Sequence, residues 1–206
     1  MKPGFHYCGV VDEPVSASFS SRGRPRQPKS RGKWNKKELT WAIVVHHPDL
    51  QESMTRQALV EVFGRTEDIC GLKFYQVGRD ADIRIQFNYI DGHGGTLGRA
   101  HYPLGGPTQG KIQLDEAELW GISQLISVSL HELGHSLGLT HSPSIDDLMY
   151  GTAVDPNPIE WQPGDIKRLQ HLYGKPTIGR PPIPPPDPPA QSGGLWAAIK
   201  SLFSWA

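Results

Sequence analysis

One run of twelve residues, HELGHSLGLTHS from His131 to Ser142, constrains this chain more than any other feature, because its spacing builds a metal site. In a helix, residues four apart project from one face about one turn, roughly 6 Å, from each other, so His131 and His135 can grip the same ion. His141 would point elsewhere on a continued helix. The chain must therefore turn back sharply, and Gly138 is the residue type that accepts the left-handed conformation ending a helix in this way. The turn supplies a third imidazole.

Three neutral nitrogen ligands with an open fourth position describe a catalytic zinc site, whereas structural zinc sites are closed, usually by thiolates. Water fills the opening. Glu132, beside the first ligand, is placed to take a proton from that water as zinc lowers its pKa. The competing reading is an amphipathic helix that carries histidines on a solvated face by chance. HExxH alone recurs by accident, but Gly138 and His141 at the correct spacing leave that reading little room.

Behind the zinc run comes Asp147-Leu148-Met149-Tyr150. HELGHSLGLTHS followed by this methionine resembles the metzincin clan, in which a methionine turn lies beneath the metal. Within the clan the chain is most similar to the matrixins, the matrix metalloproteinases of peptidase family M10. Ser142 directly after the third histidine, LTWAIVV at 39–45, ADIRIQF at 81–87, GGTLGRAHYP at 94–103 and DIKRLQHLYG at 165–174 all stand in family order. The resemblance implies an α+β matrixin fold, a twisted five-stranded mixed sheet with three helices and a zinc cleft. It also implies an extracellular zinc metalloendopeptidase of the extracellular matrix, with Met149 supporting the site.

With 206 residues and 37% hydrophobic content, the chain can bury one ordinary core. Basic and acidic residues balance at 21 each, so no global field favours nucleic acid or an anionic membrane. No stretch approaches the length of a transmembrane segment, and the N-terminus carries no apolar run of a secretory signal, so an extracellular location is expected from the resemblance alone. Cys8 and Cys70 are too few for a disulfide framework, and a single bridge between them has no support in the sequence.

Composition divides the chain into an unfolded N-terminal arm at 1–30, a peptidase domain at 31–174, a proline-rich linker at 175–193 and a short amphipathic tail at 194–206. From Ser16 to Lys37 there are eight basic side chains and no acidic one, which reads as a solvated segment open to proteases or as an anion-binding arm. Residues 181–189 hold seven prolines of nine, the composition of a polyproline II rod. The tail puts Leu195, Ile199, Leu202, Phe203 and Ala206 on one helical face, suited to docking a partner or a membrane surface, or to nothing. Within the domain, strands are expected over 39–45, 72–77, 82–87, 96–102 and 111–114, and helices over 52–65, 123–137 and 165–172. A monomer is expected.

Asp91-Gly92-His93-Gly94-Gly95-Thr96 resembles the family's calcium loop, with Asp115 and Glu118 as its paired carboxylates. The resemblance implies one calcium ion, ligated by the side chains of Asp91, Asp115 and Glu118 and by the carbonyls of Gly92, Gly94 and Thr96. A plain turn with solvated acids is the alternative. The family's second, structural zinc is not expected, because Arg99 and Gln113 stand where its histidines belong. Cys8-Gly9-Val10-Val11-Asp12 resembles the cysteine switch, whose thiolate takes the fourth position on zinc, although Tyr7 and Val11 depart from the pattern. Weak, reversible inhibition by Cys8 is one expectation and a vestigial arm is the other.

Together these readings describe a zinc-dependent endopeptidase of polypeptide substrates. His131, His135 and His141 bind one zinc ion, and Glu132 activates the zinc-bound water. Two rivals remain: a catalytically silent matrixin-like binding module, which intact Glu132 argues against, and a protease restricted to its own arm or to a tethered partner.

Overall fold

Strict alternation shapes the centre of the sheet: in β3 (Ile83–Asn88), Ile83, Ile85 and Phe87 are buried on one face while Arg84, Gln86 and Asn88 point to the other. The computed structural model describes residues 8–10, 30–152 and 158–176. Beside β3 lie β1 (Glu38–Val45), β2 (Lys73–Gln76), β4 (Gly98–Ala100) and β5 (Lys111–Asp115), in the order β2-β1-β3-β5-β4. All neighbours pair in parallel except β4, which runs antiparallel to β5 at one edge. The sheet is thus mixed and five-stranded, as expected.

Parallel neighbours need a crossover, and α1 (Glu52–Ile69) supplies the one between β1 and β2. It packs on the inner face through Phe63, whose ring stacks on Trp41 with centroids 4.5 Å apart and meets Phe74 at 5.0 Å. The second helix, α2 (Ile122–Ser136), lies on the same side. Its Leu125, Val128 and Leu133, with Leu137 just beyond, are almost wholly buried, the packing role expected of them. The last helix, α3 (Pro163–Tyr173), opens with a proline in its first turn, where a missing N–H costs nothing.

Two elements differ in extent from the sequence expectation. The first helix continues to Ile69, because the polar residues that break its apolar period find partners. Thr66 donates to the Val62 carbonyl and receives the Trp161 indole N–H, and Glu67 accepts the Phe74 N–H. Conversely, β4 is only three residues long. Thr96 is drawn into the preceding loop by Asp91, and the ladder with β5 registers Gly98 to Ala100, flanked by single backbone bonds at Leu97 and His101.

The segment entering the domain is fastened to the end of α2. Trp34 donates its indole N–H to the Ser136 carbonyl at 2.9 Å, and its backbone N–H to Tyr173 Oη, which in turn donates to the Leu137 carbonyl. Cys8 and Cys70 are not joined by a disulfide. Among the described residues no helix is long and apolar enough to cross a membrane. The rest of the basic arm, the proline-rich stretch and the apolar tail lie outside the described residues.

Candidate metal centre

His131 and His135 leave α2 on one face, as their spacing requires, and each ring is fixed by a carbonyl. His131 Nδ1 lies 2.8 Å from the Leu148 oxygen and His135 Nδ1 lies 2.7 Å from the Leu139 oxygen. A carbonyl only accepts, so both Nδ1 atoms carry the proton and both Nε2 atoms present a lone pair. The turn then brings in the third ring. Gly138 has φ +98°, its N–H bonds the His135 carbonyl, and Leu139 N–H bonds the Gly134 carbonyl, closing the helix as a left-handed cap.

His135 Nε2 stands 3.2 Å from His131 Nε2 and 3.2 Å from His141 Nε2. Tetrahedral zinc with bonds of about 2.0–2.1 Å needs its nitrogens about 3.3 Å apart, and both separations from His135 match that spacing. Convergent lone pairs in a buried site repel one another unless a cation lies between them. The donor set therefore fits zinc by distance and by chemistry.

Cys8 completes the cluster. Its Sγ and the three histidine nitrogens all lie within 4.8 Å of one another, and Cys8, His131 and His135 are buried. The arm reaches this position by pairing with the sheet edge: Cys8 forms a parallel bridge to Gly98, and Gly9 N–H donates to the Gly98 carbonyl at 2.8 Å. Gly98 is needed there, because a Cβ would stand 3.0 Å from Glu132 Cγ and 3.2 Å from Val128.

Glu132 is wholly buried behind the cluster. Burial pushes its carboxyl up to about 8, with the Cys8 thiol beside it pulling the other way.

Beneath the rings runs the methionine turn. Ser142 N–H bonds the Met149 carbonyl at 2.7 Å, and Met149 is fully buried under Gly134. Asp165, in the first turn of α3, accepts the Leu148 N–H at 2.8 Å and Arg168 at 2.6 Å, so α3 holds the same turn whose Leu148 carbonyl orients His131. Local spacing carries no sign of these supports, nor of Tyr102, whose ring meets the edge of His135 at 5.5 Å.

The sequence that builds this arrangement is similar to known ones. The family model described as Matrixin covers residues 33–174. The chain belongs to the matrixin family. This matrixin is 36% identical to macrophage metalloelastase of Rattus norvegicus over 198 residues, 89% of this chain and 40% of that protein. It is 36% identical to matrix metalloproteinase-26 of Homo sapiens over 184 residues, 82% of this chain and 67% of that protein. Stromelysin-3 of Rattus norvegicus is 33% identical over 200 residues, again spanning 40% of that protein. Against most such relatives, then, this matrixin spans under half their length. The family is one of zinc metalloendopeptidases.

The other predicted site residues gather around one loop. Asp115 accepts the N–H groups of Asp91 and Gly92, Glu118 accepts that of Gly94, and Asp91 accepts both the N–H and hydroxyl of Thr96. His93 approaches Glu118 at 3.2 Å. The carboxylates and the loop are thus together, yet each carboxylate is engaged by the loop's own donors. Arg99 sits away from the cluster, donating through Nε to Gln113.

Proposed function

We propose that this matrixin is a zinc endopeptidase held latent by its own arm. The observation that carries the reading is the convergence of three Nε2 atoms, with that of His135 3.2 Å from each of the other two, beside a fully buried glutamate. His131, His135 and His141 would hold the metal. Bound there, zinc supplies a Lewis acid that lowers the pKa of water and polarises a carbonyl.

The chain's own groups do the rest. Glu132 takes the proton of the attacking water and returns it to the leaving amine nitrogen, a contribution of about 10²–10⁴ in rate for groups of this kind. The free edge of β4, Gly98–Ala100, holds an extended peptide by main-chain pairing, the same edge that the arm now uses. With zinc bound, the Cys8 thiolate would compete with water for the metal until the arm is withdrawn or cut. Met149, the Leu148 carbonyl and the Leu139 carbonyl keep the three rings aimed. An extracellular location and polypeptide substrates follow from the family.

One calcium ion is part of the proposal. Asp91, Asp115 and Glu118 with the carbonyls of Gly92, Gly94 and Thr96 form an all-oxygen set around one turn, and a carboxylate oxygen that accepts an N–H keeps a second lone pair for a cation.

The test of the reading is cleavage of a quenched peptide by the Cys8→Ala chain, with and without a zinc chelator. Chelator-sensitive cleavage supports it. A folded, zinc-loaded Cys8→Ala chain that cuts nothing rejects it in favour of a silent binding module.

A further inference from the structure

The outer face of the sheet, opposite the helices, carries an unusual concentration of positive charge. By alternation, β3 presents Arg84 and Gln86 there, β5 presents Lys111 and Gln113, and β4 with its continuation presents Arg99 and His101. The register sets them side by side: Arg84 opposite Lys111, Gln86 opposite Gln113, Arg99 opposite Gln113, and His101 N–H on the Lys111 carbonyl. These six positions hold three full cations and a histidine but no acid. Adjacent strands lie about 4.8 Å apart and same-face residues about 7 Å apart, so the four basic groups fit within one patch some 10 Å across.

Among the described residues nothing of opposite sign compensates them. No ion pair involves Arg84, Arg99 or Lys111 among the described residues. The nearest acid on this face, Asp82, is paired with Lys36, and Asp115 at the far end is occupied by backbone N–H groups. Neutral acceptors instead fix the guanidinium groups: Arg84 donates to the carbonyls of Pro107 and Gln109, and Arg99 donates to Gln113 Oε1 at 3.1 Å. The groups are therefore ordered while their charge stays available. Mutual proximity also shows in His101, held below its ordinary range by burial and then by Lys111 and Arg99.

We propose that this face binds a sulfated polysaccharide chain through Arg84, Arg99, His101 and Lys111. An ordered cluster of like charges is complementary to a polyanion, and the guanidinium fork suits sulfate and carboxylate oxygens. His101 is the one aromatic ring among the six positions, so there is no row of rings on which successive nucleic-acid bases could stack. None is apolar, so nothing would enter a bilayer. Half-buried Gln86 adds an amide group of the kind that bonds sugar hydroxyls, while buried Gln113 holds Arg99 in place. The inference is independent of catalysis, since the patch lies on the side of the sheet opposite α2.

The experiment is calorimetric titration of a heparin hexasaccharide into the full chain, beside an Arg99→Ala/Lys111→Ala variant and an arm variant with Arg22, Arg24, Arg26 and Lys29 changed to serine. The face variant is expected to lose at least tenfold in affinity and to show a shallower dependence on salt, while the arm variant keeps its binding. Amide shifts on adding the hexasaccharide should centre on 99–101 and 111–113, a readout that holds even if the double variant misfolds. Binding lost only in the arm variant, or shifts that spare both strands, would overturn the inference. So would equal binding of single-stranded DNA or anionic vesicles with the same dependence on Arg99 and Lys111, since the patch would then not select sulfated sugar.

Discussion

Gly134 and Met149 share one volume: a Cβ on Gly134 would collide with the Met149 Sδ, with Met149 Cε at 3.1 Å and the Trp161 ring at 3.3 Å behind it. The glycine inside the zinc run is therefore the space that the methionine turn fills. Gly134→Ala should destabilise the domain by about 1–3 kcal/mol, the usual result of overpacking a dense core. Urea denaturation of the zinc-loaded protein measures this, and an unchanged midpoint would show that the turn yields without strain.

Cys8 Sγ lies within 4.8 Å of the three histidine nitrogens. Cys8→Ala, or alkylation of the thiol, should raise peptidase activity by roughly an order of magnitude over the untreated chain under non-reducing conditions. The same specific activity in both would make the arm vestigial.

Much of this site is legible in the sequence because its geometry is local. The pair at i and i+4 and the glycine turn fix three rings within eleven residues, 131–141, and helical periodicity alone places the first two. What is not legible depends on contacts between distant segments. The pairing of Cys8 with Gly98, the clamp of Trp34 on Ser136 and the hold of Asp165 on Leu148 have no periodic signal, because each is set by where the chain returns in space. The end of α1 fails for a related reason: Thr66 and Glu67 look like surface residues until Trp161 and the Phe74 N–H arrive to partner them.

Asp82 gives a pH dependence with a definite sign. Burial acts to raise its carboxyl, but Lys36 at 2.7 Å and the N–H and hydroxyl of Thr40 outweigh it and hold it below the usual range. The unfolded chain then binds a proton more readily than the folded one, so the contribution is present above the ordinary carboxylate pKa and is lost as pH falls through it. The stability difference between the parent and Asp82→Asn should be constant at neutral pH and shrink below about pH 4. Urea midpoints across that range test it, and a difference that grows in acid would reverse the assignment.

Calcium should raise the melting temperature. A stabilisation of about 1 kcal/mol corresponds to about 2–4 °C in a domain of this size. The rise should vanish in Asp91→Asn, which leaves the zinc cluster untouched. Thermal melts with calcium and with magnesium decide the matter, and no calcium-specific shift would leave the 91–96 loop a turn closed by its own hydrogen bonds.

The most direct measurement is made on Glu132→Gln in the Cys8→Ala background, reading bound zinc and peptide cleavage on the same sample. One zinc ion per chain retained, with cleavage reduced by about 10²-fold or more, is the expected result. Cleavage at the rate of the Cys8→Ala parent, with zinc still bound, would contradict the role assigned to this carboxylate.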